Sequence, residues 1–158
     1  SSFARMPEAE IKLDNLSKCL EETYSLYFNT RKDIKLNLIK PENDIYFHFD
    51  TLQISRCFNN LIKNAIEAVE KIPNPAVEIL MATDAKNIKI EIKDNGVGID
   101  EKMLSKIFEP YFTTKTKGTG LGLSIVKRII EDHGGKIRIE KNKNMAGTTS
   151  LINFEYNA

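Results

Sequence analysis

Three glycines at alternate positions, Gly118, Gly120 and Gly122, stand directly before an apolar stretch with helical spacing. Glycine allows a backbone to turn sharply and to approach a ligand closely. The helix behind the glycines directs free N–H groups and the positive end of its dipole toward the same point. Together these features suit a polyphosphate. The run lacks the GxxxxGKS/T spacing of a P-loop, and a polar loop rather than a strand precedes it, which argues against a dinucleotide-binding fingerprint.

Two asparagines and a glutamate recur on one side of a predicted long helix. Asn60, Asn64 and Glu67 fall on one arc at helical spacing. One interpretation of this pattern is a solvated polar face. Asparagine is a poor helix former, however, so two of them one turn apart add nothing to helix stability. The functional interpretation is that an amide oxygen binds Mg²⁺, which takes oxygen ligands and bridges substrate phosphates.

An acidic turn, Asp94-Asn95-Gly96-Val97-Gly98, follows directly after a predicted strand. It is either a simple Asp-Gly turn, which is common, or a ligand site. In a ligand site Asp94 would accept a hydrogen bond, because an ionised carboxylate accepts and does not donate. Such a group favours adenine, whose exocyclic amine donates, over guanine, whose 6-oxo group repels it. Gly96 and Gly98 would let the backbone pass close to the base.

The aromatic residues Phe108, Tyr111 and Phe112 lie at the start of the polar segment EPYFTTKTKGTG, residues 109–120. The segment has no periodicity and is rich in Thr, Lys and Gly, which predicts a mobile loop. Its aromatic start either only pins the loop or anchors a lid over a bound ligand. In the second case Lys115 would reach a phosphate.

The bulk composition is that of an ordinary folded domain. The chain has 158 residues, 41% apolar and 28% charged, and a net charge of +1, so nothing indicates a nucleic-acid or membrane surface. Cys19 and Cys57 lack metal-ligand spacing and are predicted to be buried free thiols. No apolar run has the length of a membrane span, and no signal peptide is visible. We expect a cytoplasmic domain taken from a longer protein.

Hydrophobic periodicity predicts a mixture of helices and strands. Apolar residues at helical spacing predict helices over 11–28, 51–72, 101–107 and 121–133, with Gly134 and Gly135 as the C-cap of the last. Alternation predicts strands over 34–39, 45–50, 77–83, 87–93, 136–140 and 148–156. The third and fourth strands should form an antiparallel hairpin, and His48 should lie on a surface. This order favours an α+β fold with helices on one sheet face.

The ordered segments NNLIKNAIEA, DNGVGI, FEPYFTTK and GTGLGLSIVKRIIEDHGG resemble the N, G1, F and G2 boxes of sensor histidine kinases. The resemblance covers residues 11–156. These boxes make up the catalytic and ATP-binding domain of two-component systems, within the superfamily that also holds gyrase, Hsp90 and MutL. The residue sequences of these segments, together with FARMPE near the start, resemble those of nitrogen-regulation sensor kinases of the NtrY and NtrB type.

The resemblance implies an α/β sandwich of the Bergerat type: a mixed, mostly antiparallel sheet with three main helices on one face and Mg-ATP between helices and lid. It implies catalytic roles for Asn60, Asn64 and Lys115, with Asn64 as the magnesium ligand and Asp94 as the partner of the adenine amine. The residues implied to contact the nucleotide are Asn60, Lys63, Asn64, Asp94, Gly96, Gly98, Ile99, Phe108, Lys115, Gly118, Thr119, Gly120, Leu121, Gly122 and Thr148. One departure is Glu67, which stands where many members carry Lys or Arg.

The resemblance also implies a phosphoacceptor histidine on a separate dimerisation domain. His48 and His133 lack the acceptor context of a histidine followed by an acidic residue. We therefore expect residues 1–10 to end the dimerisation domain and residues 11–158 to form the catalytic domain. The expected partners are ATP, the dimerisation domain and a response regulator, without nucleic acid or direct membrane contact. The chain alone should be a monomer, and its parent a homodimer that could be membrane-anchored.

Two other classes of function stay open on the sequence. One is a related ATPase of the MutL or gyrase type, or a serine kinase that acts on an anti-sigma antagonist. The other is a non-catalytic nucleotide-binding or interaction domain. The F box and the short lid argue against the ATPases, which tend to place a glutamate where Asn60 stands. The presence of all four boxes argues against a degenerate domain.

Overall fold

The computed structural model describes residues 7–112 and 122–156. The elements in chain order are β1 (Lys12–Asn15), α1 (Leu16–Thr30), β2 (Lys35–Ile39), β3 (Tyr46–Phe49), α2 (Thr51–Val69), β4 (Ala76–Thr83), β5 (Asn87–Asp94), α3 (Glu101–Leu104), α4 (Gly122–Asp132), β6 (Gly135–Lys141) and β7 (Thr148–Glu155). None of these helices is both long enough and apolar enough to cross a membrane.

The main sheet has the strand order β2-β4-β5-β7-β6. β2 pairs with β4 in parallel, and the other three pairs are antiparallel, including the predicted β4–β5 hairpin. Alternate side chains of the central strands are buried, which places one face of the sheet against the helices. The buried set is Val77, Ile79, Met81, Ile88, Ile90, Ile92, Ile152 and Phe154. The helices α1, α2 and α4 supply most of the rest of this core, together with Leu36 of β2 and Phe47 and Phe49 of β3, so the predicted α+β fold is confirmed.

The helix α2 lies at the centre of the helical layer and carries the continuous apolar stripe that the sequence predicts. Its buried residues include Ile54, Cys57, Phe58, Leu61, Ile62, Ala65, Ile66 and Val69. The helix ends at Val69 rather than at residue 72, and Pro73 follows within one turn. Both cysteines are free and buried, as predicted, and burial raises the pKa of the Cys57 thiol to about 12.

The prediction of a first helix over 11–28 was wrong at its start. Residues 12–15 form strand β1, which pairs with β3 through contacts such as Leu13 with His48. Asn15 then begins α1, because its side-chain oxygen accepts a hydrogen bond from the Lys18 N–H at 2.9 Å. Leu13 fits the helical spacing that predicted this helix, but it is 62% exposed. Pairing with a distant strand therefore overrides local helical spacing here.

Asp50 joins three parts of the chain, although the alternation of residues 45–50 places it on the same side as His48, which was predicted to lie on a surface. It is buried, and its carboxylate accepts hydrogen bonds from the Gln53 N–H at 3.0 Å and the Glu10 N–H at 2.8 Å. Its own N–H donates to Nε2 of buried His133 at 3.0 Å. Nδ1 of His133 must then carry the proton and donate to the Ile129 carbonyl at 2.7 Å. The ends of α2 and α4 are thus linked to the N-terminal segment.

Replacing Asp50 by asparagine should destabilise the fold in a pH-dependent way. Burial raises the pKa of Asp50, but the N–H groups of Gln53, Glu10 and Leu52 outweigh it and hold that pKa below 3.8. The stabilisation is therefore present above the unfolded-state pKa and is lost as pH falls through the folded-state pKa. We expect the free energy of unfolding to fall by about 1–2 kcal/mol at neutral pH, since the new amide presents a donor to the Glu10 N–H.

Urea unfolding of wild type and of Asp50→Asn, each at neutral pH and at acid pH, measures this effect. Exposed Asp132 provides the matched control, because Asp132→Asn removes a carboxylate at the end of α4 without touching the network. The difference between wild type and Asp50→Asn should shrink in acid. An equal deficit at both pH values would contradict a stabilising role for the ionised carboxylate.

Candidate functional site

Asn60 and Asn64 lie one turn apart on α2 and are half-buried. Nδ2 of Asn64 donates to Oδ1 of Asn60 at 3.1 Å, so the two amides form a pair on the helix surface. Lys63 is exposed and lies about 100° around the helix from Asn64, given 3.6 residues per turn. The amide pair is in place, whereas a contact of Lys63 with a nucleotide stays a prediction.

The last glycine of the run, Gly122, begins α4 against this pair. A Cβ atom on Gly122 would lie 2.6 Å from Nδ2 of Asn60, a distance at which something must move. The close approach of the two helices therefore depends on a residue without a side chain. The other predicted residues of this part, Lys115, Gly118, Thr119, Gly120 and Leu121, lie outside the described residues.

Asp94 ends β5 and is buried, with 6% of its surface exposed. The N–H groups of Gly96 and Thr148 donate to its Oδ1 at 2.9 Å and 3.3 Å. Among residues 7–112 and 122–156, no hydrogen bond reaches Oδ2. Burial raises the pKa of this carboxyl, and the two N–H donors oppose the rise without cancelling it. Oδ2 is not fully enclosed by the described residues, so a donor on a ligand can reach it.

The loop after Asp94 packs on the C-terminal end of α2. A Cβ atom on Gly96 would lie 2.3 Å from the Ala68 carbonyl oxygen, and the Val97 N–H donates to that oxygen at 3.3 Å. Gly98 has φ of 77°, which favours glycine, and half-buried Ile99 follows it. Asn60 and Ala68 are roughly 12 Å apart along α2, at 1.5 Å per residue. One helix therefore connects the loop of Asp94 with the start of α4.

The F-box segment is held against α4. Nζ of Lys127 lies 5.5 Å from the centroid of the half-buried Phe108 ring, and Ile107 is buried beside it. The helix α3 is shorter than predicted, since turns replace it after Leu104. Tyr111 has φ of 69°, an uncommon conformation for a residue with a side chain. The anchored aromatic is in place, and the rest of the predicted lid lies outside the described residues.

Two asparagines of this region were not recognised in the sequence. Asn95 accepts from the Ala76 N–H and donates to the Asn74 carbonyl, both at 2.9 Å, and so fixes the loop to the start of β4. Asn142 donates to the Asp94 carbonyl at 2.8 Å. The available signal was residue type, because asparagine beside a strand end often bonds to nearby backbone.

Replacing Gly122 by alanine should weaken nucleotide binding without unfolding the protein. The new Cβ would displace the Asn60 amide, which also breaks its bond with Asn64. Gly122 is the first residue of α4, and the atoms that must move are the end of the Asn60 side chain, so the free energy of unfolding should change little. We expect about tenfold weaker ATP binding in a fluorescence titration, the size of one lost interaction.

A double-mutant cycle with Asn60→Ala isolates the cause. Removing the Asn60 amide also removes the clash, so Gly122→Ala should then change ATP affinity little. Equal effects of Gly122→Ala in both backgrounds would mean that the close approach to Asn60 is irrelevant to binding.

Comparison with known proteins identifies the family. Residues 49–157 match the family described as histidine kinase-, DNA gyrase B-, and HSP90-like ATPase. Nitrogen regulation protein NtrY of Azorhizobium caulinodans is 33% identical in an alignment of 144 positions that covers 88% of this chain and 18% of NtrY. The catalytic domain of histidine kinase ThkA is 34% identical, with a TM-score of 0.83 over 93% of this chain and 96% of that domain.

A second ThkA structure, in complex with response regulator protein TrrA, is 29% identical with a TM-score of 0.79, covering 94% of this chain and 42% of that one. The chain thus spans less than a fifth of NtrY but nearly the whole ThkA catalytic domain. It belongs to the histidine kinase-, DNA gyrase B-, and HSP90-like ATPase family, as the catalytic ATP-binding domain of a sensor histidine kinase.

Proposed function

We propose that this chain binds Mg-ATP between α2, the loop at residues 95–100 and the start of α4. In this proposal it transfers the γ-phosphate to a histidine on a separate dimerisation domain, for onward transfer to a response regulator. The observation that carries the site is the buried Asp94 carboxylate with its open Oδ2. Asp94 ends β5, and the loop that follows it packs on α2, the helix that carries the amide pair.

Adenine recognition follows from the two oxygens of Asp94. Oδ1 is already occupied by two backbone donors, so the side chain is fixed in orientation. Oδ2 is then the acceptor for the exocyclic amine of adenine, and a 6-oxo purine would place oxygen against oxygen. Gly96 lets the loop pack closely on Ala68 of α2, and a Cβ atom on Gly98 would meet no atom of the described residues closer than 3.9 Å. In this proposal the base lies beside Gly98, Ile99 and Thr148. Sites built to bond a substrate donor reject analogues without it by up to about 10⁴-fold.

The phosphate side is proposed to lie at the amide pair. Backbone N–H groups of the glycine run and Lys115 would bind the phosphates, and Asn64 would hold Mg²⁺. Within the described part of the chain, no group of three His, Cys, Asp or Glu residues forms a metal site. An amide ligand fits this setting, because Mg²⁺ in nucleotide sites takes most of its ligands from phosphates and water. When bound, the ion neutralises charge on the phosphates.

The acceptor histidine is proposed to belong to another domain. Both ring nitrogens of His133 are engaged within the fold, and His48 lies in strand β3, followed by Phe49. We propose residues 1–10 as the end of the dimerisation domain and residues 11–158 as the catalytic domain. The dimerisation domain would make the parent a homodimer. Without that domain, this chain would be a cytoplasmic monomer. The ThkA complex supports a response-regulator partner, and the NtrY name supports a role in nitrogen regulation.

Mixing the chain with Mg-ATP and the dimerisation domain of its parent tests the proposal. Phosphate should appear on the histidine of that domain, in a bond that mild acid breaks, and not on the chain itself. Release of inorganic phosphate without transfer would indicate an ATPase instead. Binding of ATP with neither outcome would indicate a non-catalytic nucleotide-binding domain.

A further inference from the structure

The backbone of Asp94 loses its strand pairing on one side. The ladder between β5 and β7 ends at the pair Lys93–Thr149, one residue before Asp94. On the other side Asp94 is still paired with Val77 of β4. The carbonyl of Asp94 therefore depends on a donor from outside the β5–β7 ladder.

The side chain of Asn142 supplies that donor. Its Nδ2 donates to the Asp94 carbonyl at 2.8 Å and to the Ala146 carbonyl at 3.0 Å. Its Oδ1 accepts from the Thr149 hydroxyl at 2.5 Å. Main-chain carbonyls can only accept, so the Asp94 and Ala146 carbonyls identify Nδ2 as the end that faces them. Oδ1 then accepts from the Thr149 hydroxyl, which holds the amide in this orientation.

The turn that carries Asn142 contacts Asp94 at both of its ends. The Asn142 N–H donates to the Gly147 carbonyl at 3.0 Å and closes the turn between β6 and β7. A Cβ atom on Gly147 would lie 2.0 Å from the Asp94 carbonyl oxygen, so the chain passes directly beside that carbonyl. The next residue, Thr148, donates its N–H to the Asp94 carboxylate. One turn thus holds the main chain through Asn142 and the side chain through Thr148.

We infer that Asn142 is a positioning residue for base recognition, because it fixes the backbone from which the Asp94 carboxylate projects. The inference rests on the proposed role of Asp94 toward adenine. Without the Asn142 amide, the Asp94 carbonyl faces the turn unpaired, and both the strand end and the carboxylate can shift. A shift of Oδ2 weakens the bond to the adenine amine. The phosphate contacts proposed around Asn60 keep their geometry, because Asn60 lies on α2 and not on these strands.

The test compares ATP with inosine triphosphate, whose 6-oxo base lacks the amine. Binding of both nucleotides to the full chain is titrated for wild type, Asn142→Ala and Asp94→Asn. Asn142→Ala should bind ATP about tenfold more weakly, as expected for one lost hydrogen bond in a positioning chain. Its affinity for inosine triphosphate should stay near that of wild type. The ATP preference is therefore the readout, since a general loss of folding would lower both affinities alike.

Two matched variants separate positioning from stability. Asn153→Ala removes another β7 asparagine, whose side chain donates to Asn87 at 2.9 Å at the far end of the same strands, and should leave the preference intact. Thr149→Val removes the hydroxyl that orients Asn142 and should reduce the preference, whereas Thr149→Ser should retain it.

The outcomes are distinguishable. An unchanged ATP preference in Asn142→Ala, with a reduced one in Asp94→Asn, would overturn this inference and leave the adenine site standing. An unchanged preference in Asp94→Asn would overturn the adenine assignment itself. A reduced preference in both, with Asn153→Ala at the wild-type value, supports the positioning role.

Discussion

Asp94→Asn should weaken ATP binding by at least about a hundredfold, the size expected when a charge-assisted hydrogen bond becomes a repulsive contact. An asparagine can keep its Oδ1 as acceptor for the Gly96 and Thr148 N–H groups. Its amide nitrogen then takes the place of Oδ2 and presents hydrogens to the adenine amine. For the same reason, inosine triphosphate should lose far less affinity, because its 6-oxo group accepts a hydrogen bond.

The same substitution should not destabilise the fold at neutral pH. The pKa of Asp94 is raised by burial, so the protonated carboxyl suits the folded state better than the ionised one. That contribution is present below the unfolded-state pKa and is lost as pH rises through the raised folded-state pKa. The neutral asparagine avoids this loss. The free energy of unfolding of Asp94→Asn, relative to wild type, should therefore increase from acid to neutral pH.

Asp84 is the matched control, because it lies at the opposite end of the β4–β5 hairpin. Its Oδ1 also accepts two backbone N–H groups, from Lys86 and Asn87, both at 2.8 Å. These bonds lower the pKa of exposed Asp84, opposite in direction to Asp94. Asp84→Asn should bind ATP normally and show the reverse pH dependence of stability. Normal ATP binding by Asp94→Asn, or equal losses in both variants, would contradict the adenine assignment.

The parts of the fold that local spacing determines were predictable. Alternation in β4, β5 and β7 and the apolar stripe of α2 each follow from which side of an element is buried. The start of α1 was not, because Leu13 fits a helical stripe as well as a strand. Its pairing with His48 of β3 decides between them, and that contact is distant in sequence. The parallel strands β2 and β4 likewise pair although β3 and α2 lie between them in sequence.

The site divides in the same way. Asp94, Gly96 and Asn64 can be picked out as candidate site residues, because their residue types and spacing indicate ligand binding. The supporting residues cannot be picked out in this way: Asn142 and Asn95 act on backbone atoms 48 and 19 residues away. Any asparagine in a turn has the same local appearance, so only the folded geometry separates a positioning residue from a solvated one. The residues proposed to bind the ligand belong to local sequence motifs, whereas the residues that support them are distant in sequence.

Asn64→Ala should reduce Mg-dependent phosphate transfer by about a hundredfold or more, because a missing metal ligand removes several kcal/mol of charge stabilisation in the transition state. The substitution also removes the donor to Asn60, so transfer is compared with Asn60→Ala, which breaks the same pair but keeps Asn64. Binding of nucleotide without Mg²⁺ should change little in Asn64→Ala. The defect should therefore depend on the ion rather than on base recognition.

Asn59→Ala is the matched control on the same helix. Asn59 is exposed and accepts a hydrogen bond from the Tyr27 hydroxyl at 2.6 Å, away from the amide pair.

Transfer to the dimerisation domain is measured across a range of Mg²⁺ concentrations for the three alanine variants. Asn59→Ala should match wild type, and Asn64→Ala should need far more Mg²⁺ or fail at all concentrations. Transfer by Asn64→Ala at the wild-type rate and Mg²⁺ requirement would remove Asn64 from the metal site. A defect of Asn60→Ala equal in size and Mg²⁺ dependence would assign the effect to the amide pair rather than to a ligand atom.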